Sequence, residues 1–541
     1  MPDTVPDTVF GIDLGTTYSA IAYMNDFDQA EVIRNGEGDE TTPSVVFFES
    51  ESSYVVGKEA KNGAVIYHEN TVSLIKREMG SDTERNFFGK PYRPETISSL
   101  ILKDLVEAAQ DATGLDTNKV VITVPAYFGL TEKEATRQAG GIAGLDVLGI
   151  VTEPVAAALS VGIRGDETKC LFIYDLGGGT FDCTVMEVSS GKVEVIVIDG
   201  NRRLGGADWD SRLYDLVAEK FRVQAGLSED PTDDEDFAQR LLNELETCKK
   251  TLSRKEKSTI RCSYADVVEM IEVTRAELEQ ATASLVEETL DIVQRSLDSA
   301  QAKRPGLKLD EVLLVGGASR MPMIQESLKA RFGWNLRLTD FDLAVAKGAA
   351  MYAQGGTLAE TTAGGTELTE AASPDAKPTD KMLYLNGRAV TVKNVLSRGI
   401  GIELIRDNPR TGRPELYIGF LAHANESLPL KVEQTVYTYT AGATEIAIEI
   451  FEQQGERESE VVEHNKELTP ESGATFTGLP YLPKDSPIDI KLFIDTEGLA
   501  TLEAFEPQSA QNLEIGVRLS VMQAEDEARA KAIVASLSRR V

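Results

Sequence analysis

The chain has 541 residues, 42% of them hydrophobic and 26% charged, the balance of an ordinary globular protein, and it is too long for one core, since single cores stop growing near ~250–300 residues. Its 88 acidic against 55 basic residues leave a net charge of −33, which repels phosphate backbones over most of the surface and argues against a nucleic-acid partner. No apolar run is long enough to cross a bilayer, which argues against a membrane partner, and Cys170, Cys183, Cys248 and Cys262 lie far apart beside only three histidines, so they read as buried thiols and form no zinc constellation.

The opening "MPDTVPDTVF" has neither a basic leader nor an apolar core, so no secretory signal is expected and the default address is cytoplasmic. "FGIDLGTTYS" (10–19) is a hydrophobic run that breaks on Asp13 and turns through Gly15, Thr16 and Thr17. From there to about residue 355, strand-like runs ("VVITVPAYF", "CLFIYDL", "CTVMEV", "VEVIVIDG", "EVLLVGG") alternate with helical runs at 95–113, 131–143, 208–225 and 272–303, an α/β pattern. "YDLGGGTFD" (174–182) repeats the first turn's plan: Asp175, then Gly177, Gly178 and Gly179, then Thr180 and Asp182. "EDFAQRLLNELETCKKTLSRKE" (235–256) places Phe237, Leu241, Leu242, Leu245 and Leu252 on one helix face, and "LLVGGASRMP" (313–322) again follows a strand with a diglycine. The stretch 355–380, "GGTLAETTAGGTELTEAASPDAKPTD", lacks an apolar period and reads as a linker or disordered insert. Beyond it, 383–521 carries short alternating runs such as "TEIAIEIFE" and "LEIGVRLSV" between turns, the pattern of a separate antiparallel β domain, and "QAEDEARAKAIVASLSRRV" suits one helix.

Glycines between two strands let the backbone bend tightly and bring its N–H groups to a phosphate that a Cβ would hold off. Asp13 and Asp175 stand at strand ends where carboxylates hold the waters of a Mg²⁺ ion, and Thr16, Thr17 and Thr180 add hydroxyls. For either hairpin alone, a sharp turn capped by an aspartate is as good an account. Two together point to a polyphosphate clamp, with the diglycine 316–317 suited to the sugar or base. The motif reads as duplicated, one copy per lobe, with ATP between the lobes.

The series "GIDLGTT", "EGDETTPS", "VVITVPAYF", "TEPVAAAL", "YDLGGGTFD", "LGGADWDSRL", "LVGGASRMP" and "DLAVAKGAA" resembles the seventy-kilodalton heat-shock chaperones (DnaK type) from about residue 8 to 522. The resemblance implies an actin-like, two-lobed α/β ATPase domain (8–355), an insert and linker (356–394), a β-sandwich that holds extended hydrophobic peptides (395–521) and a truncated lid helix (522–541). It implies ATP/ADP and Mg²⁺, with K⁺ as a further cation, and slow hydrolysis coupled to peptide binding. It places Gly15, Thr16, Thr17 and Tyr18 on the phosphates opposite Gly177, Gly178, Gly179 and Thr180, with Asp13 and Asp175 on the hydrated metal. Lys76 in "SLIKREMG" falls at the catalytic lysine, and Glu153 and Asp182 at the groups that orient water and the metal shell. Gly205, Gly206, Glu246, Lys249, Lys250, Ser253, Gly316, Gly317, Arg320 and Asp342 fall at the ribose and adenine, where lysine at 250 stacks less well than arginine.

The same resemblance exposes departures. Lys393 and Asn394 stand in "VTVKNVLSRGIGIEL" (390–404) where the linker carries an apolar residue and an acid, and the swap weakens docking by about 1–2 kcal/mol. Gly149 and Thr152 replace residues that meet J-domain co-chaperones, so contacts to such a partner, and to a nucleotide-exchange factor, are expected to be altered. Ile448 and Ile450, with Ile405 in a facing strand, fall at the peptide pocket, although alternating isoleucines also suit a plain core face. Two functions compete: an ATP-dependent chaperone for unfolded polypeptides, and an ATP-binding interaction or exchange-type relative with little turnover whose β domain is a docking module.

Overall fold

The computed structural model describes residues 8–64, 66–161, 167–338, 341–362, 380–385, 387–468, 475–517 and 524–540. Two sheets repeat one topology. In the first lobe Phe10–Asp13, Tyr18–Met24 and Ala30–Val32 run antiparallel in succession, and Lys119–Val124 and then Asp146–Thr152 add in parallel on the other side of Phe10–Asp13. In the second lobe Lys169–Leu176, Phe181–Ser189 and Lys192–Asn201 run antiparallel, and Glu311–Val315 and Leu336–Leu338 add in parallel beside Lys169–Leu176. Parallel neighbours need long crossovers; the helices Pro94–Thr113 and Leu130–Ile142 supply them in one lobe, Ala283–Lys303 and Pro322–Phe332 in the other. The duplicated hairpins of the sequence are therefore the leading strand pairs of two equivalent sheets.

The run 272–303, expected as one helix, divides. Val267–Thr274 is a strand paired with Lys257–Tyr264, and it buries Ile271 and Val273 on alternate positions. Thr274 then caps the helix Arg275–Ala281 in a reciprocal box with Glu277, and Ala283–Lys303 follows. In the helix Glu235–Leu252, Phe237, Leu241, Leu245 and Leu252 are buried as expected, while Leu242 faces solvent.

Residues 355–362, expected as the start of a linker or insert, are helical. The helix Phe341–Thr362 contains them; residues 363–379 lie outside the described residues. Lys381–Leu385 and Arg388–Lys393 then form a hairpin whose second strand joins the second lobe's sheet in parallel with Lys192–Asn201. The physical reason is burial: Leu383, Val390 and Val392 enter a core to which both lobes contribute, while Lys393 stays half-buried at the strand end and pairs with Asp380 at 2.9 Å. The described residues 381–385 and 387–393 thus belong to the second lobe's sheet, and the charge at 393 displaces no inward-facing valine.

Two four-stranded antiparallel sheets make the β domain, one ordered Pro414–Ala422, Ile400–Asp407, Ile450–Gln453, Asn465–Glu467, the other Leu430–Tyr437, Pro487–Ile494, Ala500–Glu506, Gln511–Val517. They share one core that includes Ile400, Ile402, Ile450, Ile490 and Leu502. The terminal helix, Ala524–Ser536, packs on the first lobe: Ala530, Val534 and Leu537 form one apolar face sunk in that lobe's core, and Ser538–Arg539 adds in parallel to Ser53–Val56. Among the described residues no helix is long and apolar enough to cross a membrane.

Candidate nucleotide cleft

The two glycine turns nearly touch across the gap between the lobes. A Cβ added to Gly178 would meet the Thr17 side chain at 2.3 Å, and one on Gly179 would meet Thr16 at 2.2 Å. Each turn is tied down locally. Gly15 N–H donates to Ser19 Oγ at 3.1 Å and Ser44 Oγ donates to Gly15 O at 2.8 Å. On the other side the helix Gly206–Gln224 spends two of its free N-terminal N–H groups on the second turn, from Gly206 to Gly177 O and from Ala207 to Gly178 O, both at 2.9 Å.

Beneath the turns opens a cavity of about 1040 Å³. The first lobe lines it with Asp13, Gly15, Thr16, Thr17, Tyr18 and Lys76, and Glu153 lies at its base. The second lobe adds Asp175, Gly177, Gly178, Thr180 and Gly206, and farther along Glu246, Lys249, Lys250 and Ser253. Gly316, Gly317 and Arg320 complete that end. Asp182, Gly179 and Gly205 stand behind the lining: Asp182 is 3% exposed, and Gly205 packs on the backbone of Gly179. The side chain of Asp342 lies outside the described residues.

At the base of the cleft, Lys76 Nζ donates to Glu153 Oε1 at 2.7 Å. Asp175 and Asp182 are cross-strand partners, and Thr123 Oγ1 donates to Asp13 Oδ1 at 2.9 Å. Burial, with Glu153, Asp182 and Asp13 nearby, holds the Asp175 carboxyl well above its ordinary range. Burial and then Glu153 push Asp182 up to about 7, against the hydrogen bond from Tyr127 and the charge of Lys76. Lys76 thus pairs with Glu153 and acts on Asp175 and Asp182, while Asp13 adds a further carboxylate near Asp175, a set of hard oxygen donors that suits a hydrated Mg²⁺. The donor set and the close-set glycines fit a metal-bound polyphosphate.

Sequence reasoning missed the ties that hold the lobes together. Lys61 of the first lobe pairs with Glu246 of the second and donates to Tyr18 Oη at 3.1 Å. Lys250 meets the same Glu246 at 2.8 Å and lies 5.4 Å from the centre of the Tyr18 ring, so part of its expected reach toward a base is already engaged. Lys249 is buried against Asp210 and Gly206 O, both at 2.7 Å. Arg77 Nε donates to Gly179 O at 2.8 Å while its guanidinium pairs with Asp208 at 2.5 Å; its position directly after Lys76 was the available signal. The fold also gathers His68, Glu69 and Glu235 with ligand atoms within 4.8 Å of one another, a grouping that spacing along the chain does not show. All four cysteines are buried and free.

In the β domain, Ile448 and Ile450 are 6% and 0% exposed and belong to the core, whereas Ile405 is 47% exposed opposite Leu416, so the structure does not join the three in one open pocket.

The family model described as "Hsp70 protein" matches residues 9–88 and 82–364. The chain is similar to the "Chaperone protein DnaK" of Thermosipho melanesiensis, 37% identical over 508 residues that cover 92% of this chain and 78% of that protein. It is also similar to the "Chaperone protein DnaK" of Thermotoga petrophila, 36% identical over 531 residues, 96% of this chain and 82% of that one. With the paired glycine turns and the acid-lined base already in place, these matches show that the chain belongs to the Hsp70 family.

Proposed function

We propose that the chain is an ATP-dependent chaperone of the seventy-kilodalton heat-shock type: its actin-like lobes bind and slowly hydrolyse Mg-ATP, and its β domain holds extended apolar segments of unfolded polypeptides. The observation that carries this reading is the pair of glycine turns facing each other above Lys76, Glu153, Asp175 and Asp182. Gly15, Thr16 and Thr17 would hold the phosphates from one side and Gly177, Gly178, Gly179 and Thr180 from the other, with backbone N–H groups at distances a Cβ would forbid. Asp13 and Asp175 would hold the waters of Mg²⁺, which supplies charge neutralisation at the phosphates when bound. Lys76 offers its ammonium to charge developing on the γ-phosphate, and Glu153 keeps that ammonium in place. Asp182 orients the attacking water. Gly205, Gly206, Glu246, Ser253, Gly316, Gly317, Arg320 and Asp342 would serve the nucleoside, with Lys249 and Lys250.

On the β domain, peptide contact falls to the exposed Ile405, and Ile448 and Ile450, which lie in the core, would reach a peptide only if the domain opened. K⁺, a J-domain co-chaperone, an exchange factor and a cytoplasmic address belong to the same proposal. Single-turnover hydrolysis of bound Mg-ATP tests it: phosphate released in a Lys76-dependent step supports the chaperone ATPase, and ATP retained intact for hours overturns it in favour of a docking module that merely binds ATP.

A further inference from the structure

The rim of the cleft carries a group of ligating side chains drawn from both lobes. His68 and Glu69 of the first lobe and Glu235 of the second hold their ligating atoms within 4.8 Å of one another. His68 lines the cleft from the short turn His68–Asn70, which its neighbours anchor: the Tyr67 and Phe47 rings stack with centres 5.0 Å apart, and Thr71 Oγ1 donates to Tyr67 O at 2.8 Å. Glu235 opens the helix Glu235–Leu252, which Asp234 caps by accepting from Phe237 N–H at 2.7 Å. Phe237 is buried and stacks on Phe221, ring centres 5.2 Å apart. Each side of the group is thus fixed by packing within its own lobe. Glu235 stands about three turns of helix, ~16 Å, from Glu246, so the group is separate from the Lys61–Glu246 tie.

The donor set is that of a divalent transition metal. His68 Nδ1 is buried and meets no partner, so Nε2 is the nitrogen that faces the carboxylates, 3.2 Å from Glu235 Oε2. Two ligands of a tetrahedral ion with metal–ligand bonds of about 2.1 Å lie about 3.4 Å apart, close to that separation. Neither Glu69 nor Glu235 pairs with a lysine or arginine among the described residues. An exposed histidine–carboxylate contact is worth little by itself and gives Glu69 no part, whereas an ion shared by all three engages each of them. One imidazole with two carboxylates suits Zn²⁺ and its first-row neighbours better than Mg²⁺, which takes oxygen ligands. Glu235 is 79% exposed, which leaves a further position of the ion open to water.

We propose that His68, Glu69 and Glu235 form a binding site for Zn²⁺ or a like divalent transition-metal ion, which bridges the two lobes across the rim of the cleft and is distinct from the Mg²⁺ of the nucleotide. Because its ligands come from both lobes, the ion is held fully only while the lobes stand as they do here. It favours that arrangement over an opened one by the difference in its affinity for the two. A nucleotide between the lobes leaves as they part, so the bound ion retards its release. That consequence, unlike the site itself, rests on the nucleotide reading above.

The test uses the full chain in excess Mg²⁺, titrated with Zn²⁺ in competition with a chromophoric chelator and with Co²⁺ followed by its visible absorption. Wild type is expected to bind an ion that His68→Ala and Glu235→Gln each hold at least about tenfold more weakly, and the tetrahedral Co²⁺ spectrum is lost in both. Glu69→Gln, at an exposed position, is expected to weaken binding in the same direction and decides if another variant fails to fold. Equal binding in wild type and His68→Ala identifies an adventitious surface ion and overturns the proposal. Unchanged affinity in Glu235→Gln overturns it too, since the ion then does not bridge the lobes. With a fluorescent ADP bound, saturating Zn²⁺ is expected to slow release from wild type at least about fivefold and to leave the variants' release unaffected; a wild-type release rate indifferent to Zn²⁺ overturns the proposal. If the chain binds no ADP, the nucleotide reading fails alone and the metal titrations still decide.

Discussion

Lys76 and Glu153 meet at 2.7 Å with 4% and 13% of their side chains exposed. A pair so enclosed keeps the ammonium aimed at the base of the cleft, and breaking it leaves a buried carboxylate beside Asp175 and Asp182. Lys76→Ala is expected to slow hydrolysis on the order of 10²–10³-fold and to leave ATP binding within about tenfold, because the lysine acts on charge that develops only in the transition state. Phosphate release and equilibrium ATP binding measured on one preparation check this. Equal losses would make Lys76 a binding residue.

Asp175→Asn should reduce nucleotide affinity in Mg²⁺ and leave it nearly unchanged in EDTA, since an amide holds a hydrated cation poorly. Titration calorimetry under both conditions is the measurement. No difference between variant and wild type in either buffer would show that the aspartate only shapes the turn.

Gly129→Ala addresses the seat of the β domain. A Cβ there would lie 2.5 Å from both carboxylate oxygens of Glu452, which also accepts from Leu130 N–H at 2.7 Å. Displacing that carboxylate should loosen the docked domain by about 1–3 kcal/mol. The expected readout is faster proteolysis within 380–395 at equal ATP affinity; wild-type cleavage kinetics would show that Glu452 yields at no cost.

Asp104 provides a pH test of the terminal segment. Burial pushes its carboxyl up to about 6, against the pull of Arg539, whose Nε lies 2.6 Å away. A folded-state pKa above the unfolded one means that the native state binds the proton more tightly. Stability from this group is therefore full below pH ~4 and falls as pH rises toward 6, by about 3 kcal/mol in all. The stability difference between wild type and Asp104→Asn, followed by thermal unfolding from pH 4 to 7, should change in the variant's favour across that window. A constant difference would place the carboxylate in contact with water. Arg539→Ala should steepen the wild-type trend.

The cleft was legible because its chemistry is local. Asp13 with Gly15, and Asp175 with Gly177, Gly178 and Gly179, announce themselves within a few residues, and the strands before them are plainly apolar. What escaped is made of residues brought together from afar. Nothing in "VLSRGIG" marks Arg398 as the partner of Glu132, nor Lys61 as that of Glu246, since the pairing exists only once lobes and β domain are packed. The helix through residue 355 was misread for another reason. Gly355 looks like a linker glycine, yet a Cβ there would meet Leu385 Cδ2 at 2.7 Å, so its small size serves close packing of the helix on the hairpin. The end of the strand Val267–Thr274, residues 272–274, was taken into the helical run 272–303 because so short a stretch fits either period.

The strand Arg388–Lys393 lies beside Lys192–Asn201, although nearly two hundred residues of chain separate them. During synthesis the ribosome delivers Lys192–Glu194 long before Thr391–Lys393, the residues that will pair with them. Until then the nascent second lobe carries an open sheet edge, the kind of surface that recruits strands from other chains. A protein of a chaperone family is itself exposed to misassembly at this stage, and its own vulnerable interval ends only when residue 393 clears the exit tunnel.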